Sequence, residues 1–201
     1  MSQPVITEIE NSYNFAAALD LAIDGLTFER NDRIRSSCAC LRLARDHHFA
    51  IIKLLEFDAC ASAFALARVQ YEALVRGTWL RDCATANDVQ SFQKCVHKKL
   101  DKMVREVKSK GVPWAHELGA LHLAAIGGLS DYVHSCWRAA SRQLSVDTIE
   151  VTYTESEIIE VITFADVFGY HAAIGIAQLA GSEMIQEQLS LTAAKHLGIP
   201  I

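Results

Sequence analysis

The run DACASAFALARVQYEALVRGTWLRDC, Asp58 to Cys83, decides the fold. Its apolar residues fall three and four apart and never alternate as a half-buried strand would, so it reads as a helix opened by Asp58. At 100° per residue, Ala61, Phe64, Ala65, Val75 and Trp79 share a face, and Arg68 and Glu72 fall on that face with Arg76 at its edge. A guanidinium and a carboxylate four apart are thereby directed inward, where an unpaired ion costs several kcal/mol. Two readings follow: an ion pair that fixes the helix register, or a polar cavity that holds an anion.

The same spacing extends to both sides. Helices are expected over 5–29, 33–57, 58–83 and, capped by Asn87 or Asp88, on to Gly111. Gly111-Val112-Pro113 marks the clearest break, followed by a short apolar segment to Gly127-Gly128. Beyond it the spacing predicts a helix over 130–144, a β-branched loop over 146–153 with room for a short extended piece, and a long helix opened by a Thr154/Glu157 capping box. Ser182 starts a last helix to Leu197. Short connections favour antiparallel neighbours, so the fold class is all-α: an up-down helical bundle of about six to eight helices, forming one domain over 1–201.

Composition narrows the function. The chain has 201 residues, 51% hydrophobic and 21% charged, with a net charge of −5, which excludes disordered and low-complexity classes. Its acidic balance argues against a chain devoted to DNA binding. The first eleven residues lack a basic region before an apolar stretch, so no secretory signal is expected. Val161 to Gly181 approaches membrane-span length but carries Asp166, His171 and Gln178, and reads as a buried core helix rather than a membrane segment. The six cysteines contain no C-x-x-C pair and read as reduced core residues of a cytoplasmic protein.

Two more sets of ionisable residues stand out. In the second helix, Arg45 and His48 intrude on a stripe of Ile34, Cys38, Leu41, Ile52 and Leu55. Arg45 and Arg68 cannot both be neutralised by Glu72, so the bundle either lets one reach solvent or encloses positive charge that invites an anion. For His48, a satisfied core histidine is the simpler reading. In the 130–144 helix, His134, Arg138 and either Ser141 or Arg142 share a face, opposite Tyr132, Val133, Cys136 and Ala140. A histidine can move a proton and an arginine can hold phosphate oxygens in a bidentate grip, so His134, Arg138 and Arg142 are the catalytic candidates, with an ordinary solvated face as the alternative.

The pattern Arg68-x-x-x-Glu72-x-x-x-Arg76-x-x-Trp79-Leu80, followed by Tyr132, His134 and Arg142, resembles uncharacterised bacterial all-helical families of unknown function. More distantly it is similar to the HEPN superfamily, over roughly residues 60 to 180. The resemblance implies a helical, dimeric bundle near a group containing metal-independent ribonucleases, with Arg68, Glu72, Arg76, Tyr132, His134 and Arg142 as the carried-over positions. Those nucleases place Arg four to six residues before His, whereas His134 precedes Arg138. Arg42 followed by His47 or His48 has the forward order, a spacing that chance supplies in a chain with eight histidines.

Ala165, Gly169, Ala173, Ala177 and Gly181 form a small-residue ridge, suited either to close internal packing or to a homodimer seam. Lys94, Lys98, Lys102, Arg105 and Lys108 line one face of the expected fourth helix, as a solvated exterior or a phosphate-tracking patch. Glu-x-x-His pairs, Walker A, Gly-x-Gly-x-x-Gly, Gly-x-Ser-x-Gly and His-Glu-x-x-His are all absent, so no metal or cofactor is expected. The leading expectation is a binding or regulatory module with an anion-accepting cleft formed by Arg68, Glu72, Arg76, Tyr132, His134, Arg142, Arg45 and His48. Its partners would be a second copy and RNA or a small anion. The alternative is a metal-independent ribonuclease.

Overall fold

A computed structural model describes residues 1–96, 98–112 and 128–198. Nine α-helices occupy these residues, and no strand is present among them. They are α1 (Gln3–Ile23), α2 (Asp32–Glu56), α3 (Cys60–Asp82), α4 (Ala86–Gln93), α5 (Leu100–Ser109), α6 (Ser130–Val133), α7 (Trp137–Ala140), α8 (Glu155–Leu179) and α9 (Glu183–Leu197). The all-α expectation holds. The expected apolar segment up to Gly127 lies outside the described residues.

Local chemistry sets the boundaries. Asn31 caps α2 by accepting from the Ile34 amide at 2.9 Å. Thr154 and Glu157 form the expected reciprocal capping box on α8, and Ser182 caps α9. α1 stops six residues short of expectation because Gly25, at φ +71°, takes the left-handed conformation that ends helices. The expected fourth helix divides into α4 and α5, with Cys95 at φ +59° between them and a Thr85/Asp88 capping box at the front. The expected 130–144 helix also breaks. Ser135 adopts φ +51°, leaving the two short turns α6 and α7 and a 3-10 turn over Ser141–Gln143.

The three long helices α2, α3 and α8 make the core. Leu41 of α2 wedges between two glycines: a Cβ on Gly77 of α3 would lie 2.7 Å from Leu41 Cγ, and one on Gly175 of α8 would lie 2.8 Å from its Cδ1. The missing side chains let three backbones approach one leucine. Gly169 of the small-residue ridge faces α2 in the same way, and Ala165, Ala173 and Ala177 are fully buried. From Ala165 to Ala177 the ridge is therefore internal packing, with Gly181 alone exposed beyond the end of α8, which removes those four residues as a seam for a second copy. α8 alone among the described helices is long and apolar enough to cross a membrane, yet 56% of that window is buried inside the bundle.

Candidate functional site

Two polar regions come out of this packing, one sealed and one open. The sealed one joins α1, α2, α8 and α9. Arg45, His48, Asp166 and Ser12 are all within 1% of complete burial. Arg45 donates from Nε to Asp20 Oδ1 at 3.0 Å and from a second nitrogen to the Ala16 carbonyl at 2.6 Å. Its third nitrogen donates to His48 Nδ1 at 2.5 Å, which fixes the imidazole tautomer: Nε2 carries the proton and donates to Asp166 Oδ1 at 2.6 Å. Ser12 donates to the same oxygen at 2.5 Å, and His196 Nε2 reaches Asp166 Oδ2 at 2.7 Å. Burial pushes the Asp166 carboxyl up, but the hydrogen bonds from His196, His48 and Ser12 outweigh it and hold the group below the usual carboxylate range. Burial holds His48 below the ordinary imidazole value, so it stays neutral. Phe15 stacks on His196 at 4.1 Å between centroids and closes the site on the α9 side.

Gly169 is what lets this arrangement fit. A Cβ there would stand 2.2 Å from His48 Nδ1 and 2.7 Å from an Arg45 terminal nitrogen. The positive charge expected around Arg45 therefore meets carboxylates of the chain itself, Asp20 and Asp166. Arg45 and His48 are internal ties with no access for a ligand, which corrects their place among the binding candidates. Ser12, Asp20, Asp166 and His196 are the members that sequence reasoning did not assign to a site. The available signal was a carboxylate in the middle of an otherwise apolar helix.

The open region lies where α3, α6, α7 and the start of α8 meet, around a pocket of about 310 Å³. Phe64, Tyr132 and Phe164 supply aromatic lining, Arg138 and Arg142 the cations, and Glu157 and Glu160 the carboxylates. Phe64 packs against Tyr132 at 4.9 Å and against Tyr153 at 5.1 Å, so the aromatic lining is backed by a second ring. Arg142 pairs with Glu157 and donates to the Thr152 carbonyl at 3.4 Å, which ties the 3-10 turn to the first turn of α8. Arg138 pairs with Asp131 at 3.2 Å and keeps 62% of its side chain exposed.

A family model matches residues 41–199, a span holding both Arg45 and His48 and the whole of the open pocket. The chain belongs to the DUF6988 family, a family of unknown function. No curated protein and no solved structure matches it. The HEPN likeness has no support in these comparisons.

Within this DUF6988 chain the remaining candidates scatter. Arg68 pairs with Glu72 at 2.7 Å, as the four-residue spacing predicts, and donates to Ser130 Oγ at 3.3 Å, joining α3 to α6. With side chains 12% and 40% exposed, the pair sits at the helix boundary rather than inside, which corrects the inward placement. Gln70 of α3 is fully buried on the side of the helix opposite the predicted face, donating to the Ala165 carbonyl at 2.9 Å. Arg76 lies 5.9 Å from the Phe92 ring centre, in a different pocket from Arg138 and Arg142. His134 is exposed at the end of α6, and the break at Ser135 separates it from the Arg138 and Arg142 face it was expected to share.

The expected lysine face is interrupted as well. Lys98 turns back onto the Trp79 ring at 4.5 Å and pairs with Glu106 at 2.9 Å. Burial pushes the Cys40 thiol up to about 11, with Arg76 opposing, as befits a core thiol. Cys95 and Cys136 are exposed, contrary to a core role for all six cysteines.

Proposed function

We propose that this DUF6988 protein is a cytoplasmic small-molecule binding module whose ligand joins a flat aromatic part to an anionic group. One observation carries the reading: Tyr132, Arg138 and Arg142 converge on one pocket with Phe64 and Phe164. Its volume falls at the lower end of the range for ligand sites, which pair apolar walls with a few polar groups that fix orientation. Arg138 offers its free N–H groups to the anion, because one half-buried carboxylate, Asp131, occupies only part of its fork. Glu160 opposes an anion at the same pocket and accepts any amino group the ligand carries. The ribonuclease alternative requires His134 beside Arg138 or Arg142, and His134 does not line this pocket.

The test is a thermal-shift titration with adenosine monophosphate, benzoate and inorganic phosphate. An aromatic anion raises Tm, and the rise grows with the logarithm of its concentration once that exceeds Kd. Arg138→Gln abolishes the rise and Glu160→Gln enlarges it, whereas phosphate alone has a smaller effect. A Tm unmoved by either aromatic anion removes the proposal. RNA cleaved in EDTA, with the cleavage lost in His134→Ala, would favour the ribonuclease instead.

A further inference from the structure

The groove between α1 and α2 has features that the internal packing does not explain. Along α1, Ile6, Tyr13, Ala17 and Leu21 follow helical steps on one face, and along α2 so do Arg42, Phe49, Lys53 and Glu56. Two cavities lie end to end between these faces, about 710 Å³ beside Ile6 and about 570 Å³ beside Leu21. The Tyr13 and Phe49 rings, edge to face at 6.0 Å, stand between them. Leu21 is 80% exposed, Tyr13 41%, Ile6 38% and Phe28 37%, an apolar run that the chain itself leaves uncovered.

Charge indicates what covers it. The groove carries five carboxylates, Glu10, Asp20, Asp24, Glu56 and Asp58, against two cationic side chains, Arg42 and Lys53, with Met1 also lining one end. Asp20 is held by Arg42 and Arg45, and Glu56 by Lys53. Glu10, Asp24 and Asp58 have no ion-pair partner among the described residues. Glu10 and Asp58 flank the cavity at one end and Asp24 the cavity at the other, so free negative charge brackets an apolar centre.

We infer that the α1–α2 groove is a docking surface for an amphipathic helix of a partner protein that carries apolar anchors flanked by lysine or arginine. A trough between two antiparallel helices accepts the ridge of a third, and helix-in-groove recognition uses anchors one or more turns apart. From Ile6 to Asp24 the groove runs about 27 Å at 1.5 Å per residue, the length of an 18-residue helix. Between the midpoints of their linings on α1, near Glu10 and Leu21, the cavities lie about three turns apart, so anchors eleven residues apart on the partner would fill both. The two aromatic rings between them give the centre a firm apolar contact of the kind that concentrates binding energy.

The probe is a fluorescein-labelled 18-residue helical peptide with leucines at positions i, i+4, i+7 and i+11 and lysines at both ends. A matched peptide carries glutamates in place of the lysines. Anisotropy titrations against the full chain are expected to show binding of the lysine peptide that weakens as salt rises from about 50 to 500 mM, and none of the glutamate peptide. Leu21→Arg and Ile6→Arg each reduce that affinity at least tenfold, while Asp147→Arg, on the loop after the 3-10 turn, leaves it unchanged. Leu21 is so exposed that its replacement leaves the fold intact, which matching circular dichroism and urea midpoints would verify. Failure of the lysine peptide to bind, equal binding of the two peptides, or indifference to both groove substitutions overturns the inference. So does light scattering that shows a dimer dissociated by Leu21→Arg, because a second copy would then be the occupant.

Discussion

The sealed knot around Asp166 and the open pocket around Arg142 both combine arginines with carboxylates, yet the knot buries Arg45, His48 and Asp166 while the pocket leaves its arginines partly in solvent. In the knot Asp166 takes three donors, Arg45 spreads over three acceptors, and the groups are closed in by α1, α2, α8 and α9. In the pocket each arginine has one carboxylate partner and keeps part of its side chain in solvent. The difference teaches where a buried charge acts. A satisfied interior network specifies packing, whereas a half-satisfied one at the surface has donors left for a ligand.

The largest expected effect comes from breaking the knot. Asp166→Ala leaves the Ser12 hydroxyl, His48 and His196 without their acceptor, and removing one member of a buried ionic network costs about 3–5 kcal/mol. Urea unfolding measures it through the midpoint at constant slope. A loss below about 1 kcal/mol would mean that water enters the site and that the two regions do not differ as described.

Steric substitution gives the next effect. In Gly169→Ala the added methyl meets His48 Nδ1 at 2.2 Å, a contact neither α2 nor α8 can relieve without moving. Overpacking of this kind costs about 1–3 kcal/mol. An unchanged urea midpoint would show that the imidazole turns aside freely and that the knot is looser than its distances imply.

How far the sequence reveals these regions depends on whether periodicity or sterics decides. Helical spacing was enough for α2, α3 and α8, and the Thr154/Glu157 and Ser182 caps were legible because hydroxyl and acidic residues at fixed offsets have a definite hydrogen-bonding task. The positive-φ breaks at Cys95 and Ser135 were not, since neither residue type advertises that conformation. Arg45 and His48 stood out as polar groups on an apolar stripe. Their partners did not: Ser12 and Asp166 lie 154 residues apart, and nothing local brings them together. For the pocket, Tyr132, Arg138 and Arg142 were legible in the sequence, but the tertiary contact with Phe164 and Glu160 of α8 was required to join them.

Acidification sharpens the comparison further. The His48 imidazole sits below its ordinary value of 6.5, so below that pH the unfolded chain takes up a proton that the folded chain refuses. The Asp166 carboxyl is also depressed. Its stabilisation is complete above the ordinary carboxylate value and is lost as pH falls through the lower folded one. Both signs agree, so the urea midpoint falls continuously as pH drops from about 6.5 towards 3. Asp166→Asn weakens the lower part of that dependence, where Asp88 and Glu106 also contribute, and leaves the histidine part, which His48 shares with His171, lowered by burial to about 4. A midpoint that rises on acidification would place a proton on His48 in the folded state and contradict the tautomer fixed by Arg45.

The smallest effect belongs to the pair from which the reading of the fold began. Arg68 and Glu72 meet at 2.7 Å, but the carboxylate is 40% exposed and solvent competes for it. Exposed helix pairs of this spacing contribute about 0.3–0.5 kcal/mol. A double-mutant cycle with Arg68→Gln and Glu72→Gln is therefore expected to give a coupling below about 1 kcal/mol, reduced further in about 1 M salt, where charges screen within roughly 3 Å. The single Arg68→Gln change costs more than the coupling, because it also removes the hydrogen bond to Ser130 that holds α6 against α3. A salt-insensitive coupling above about 2 kcal/mol would assign this pair to the sealed class, and α3 would then share the function of the Asp166 network instead of framing the open pocket.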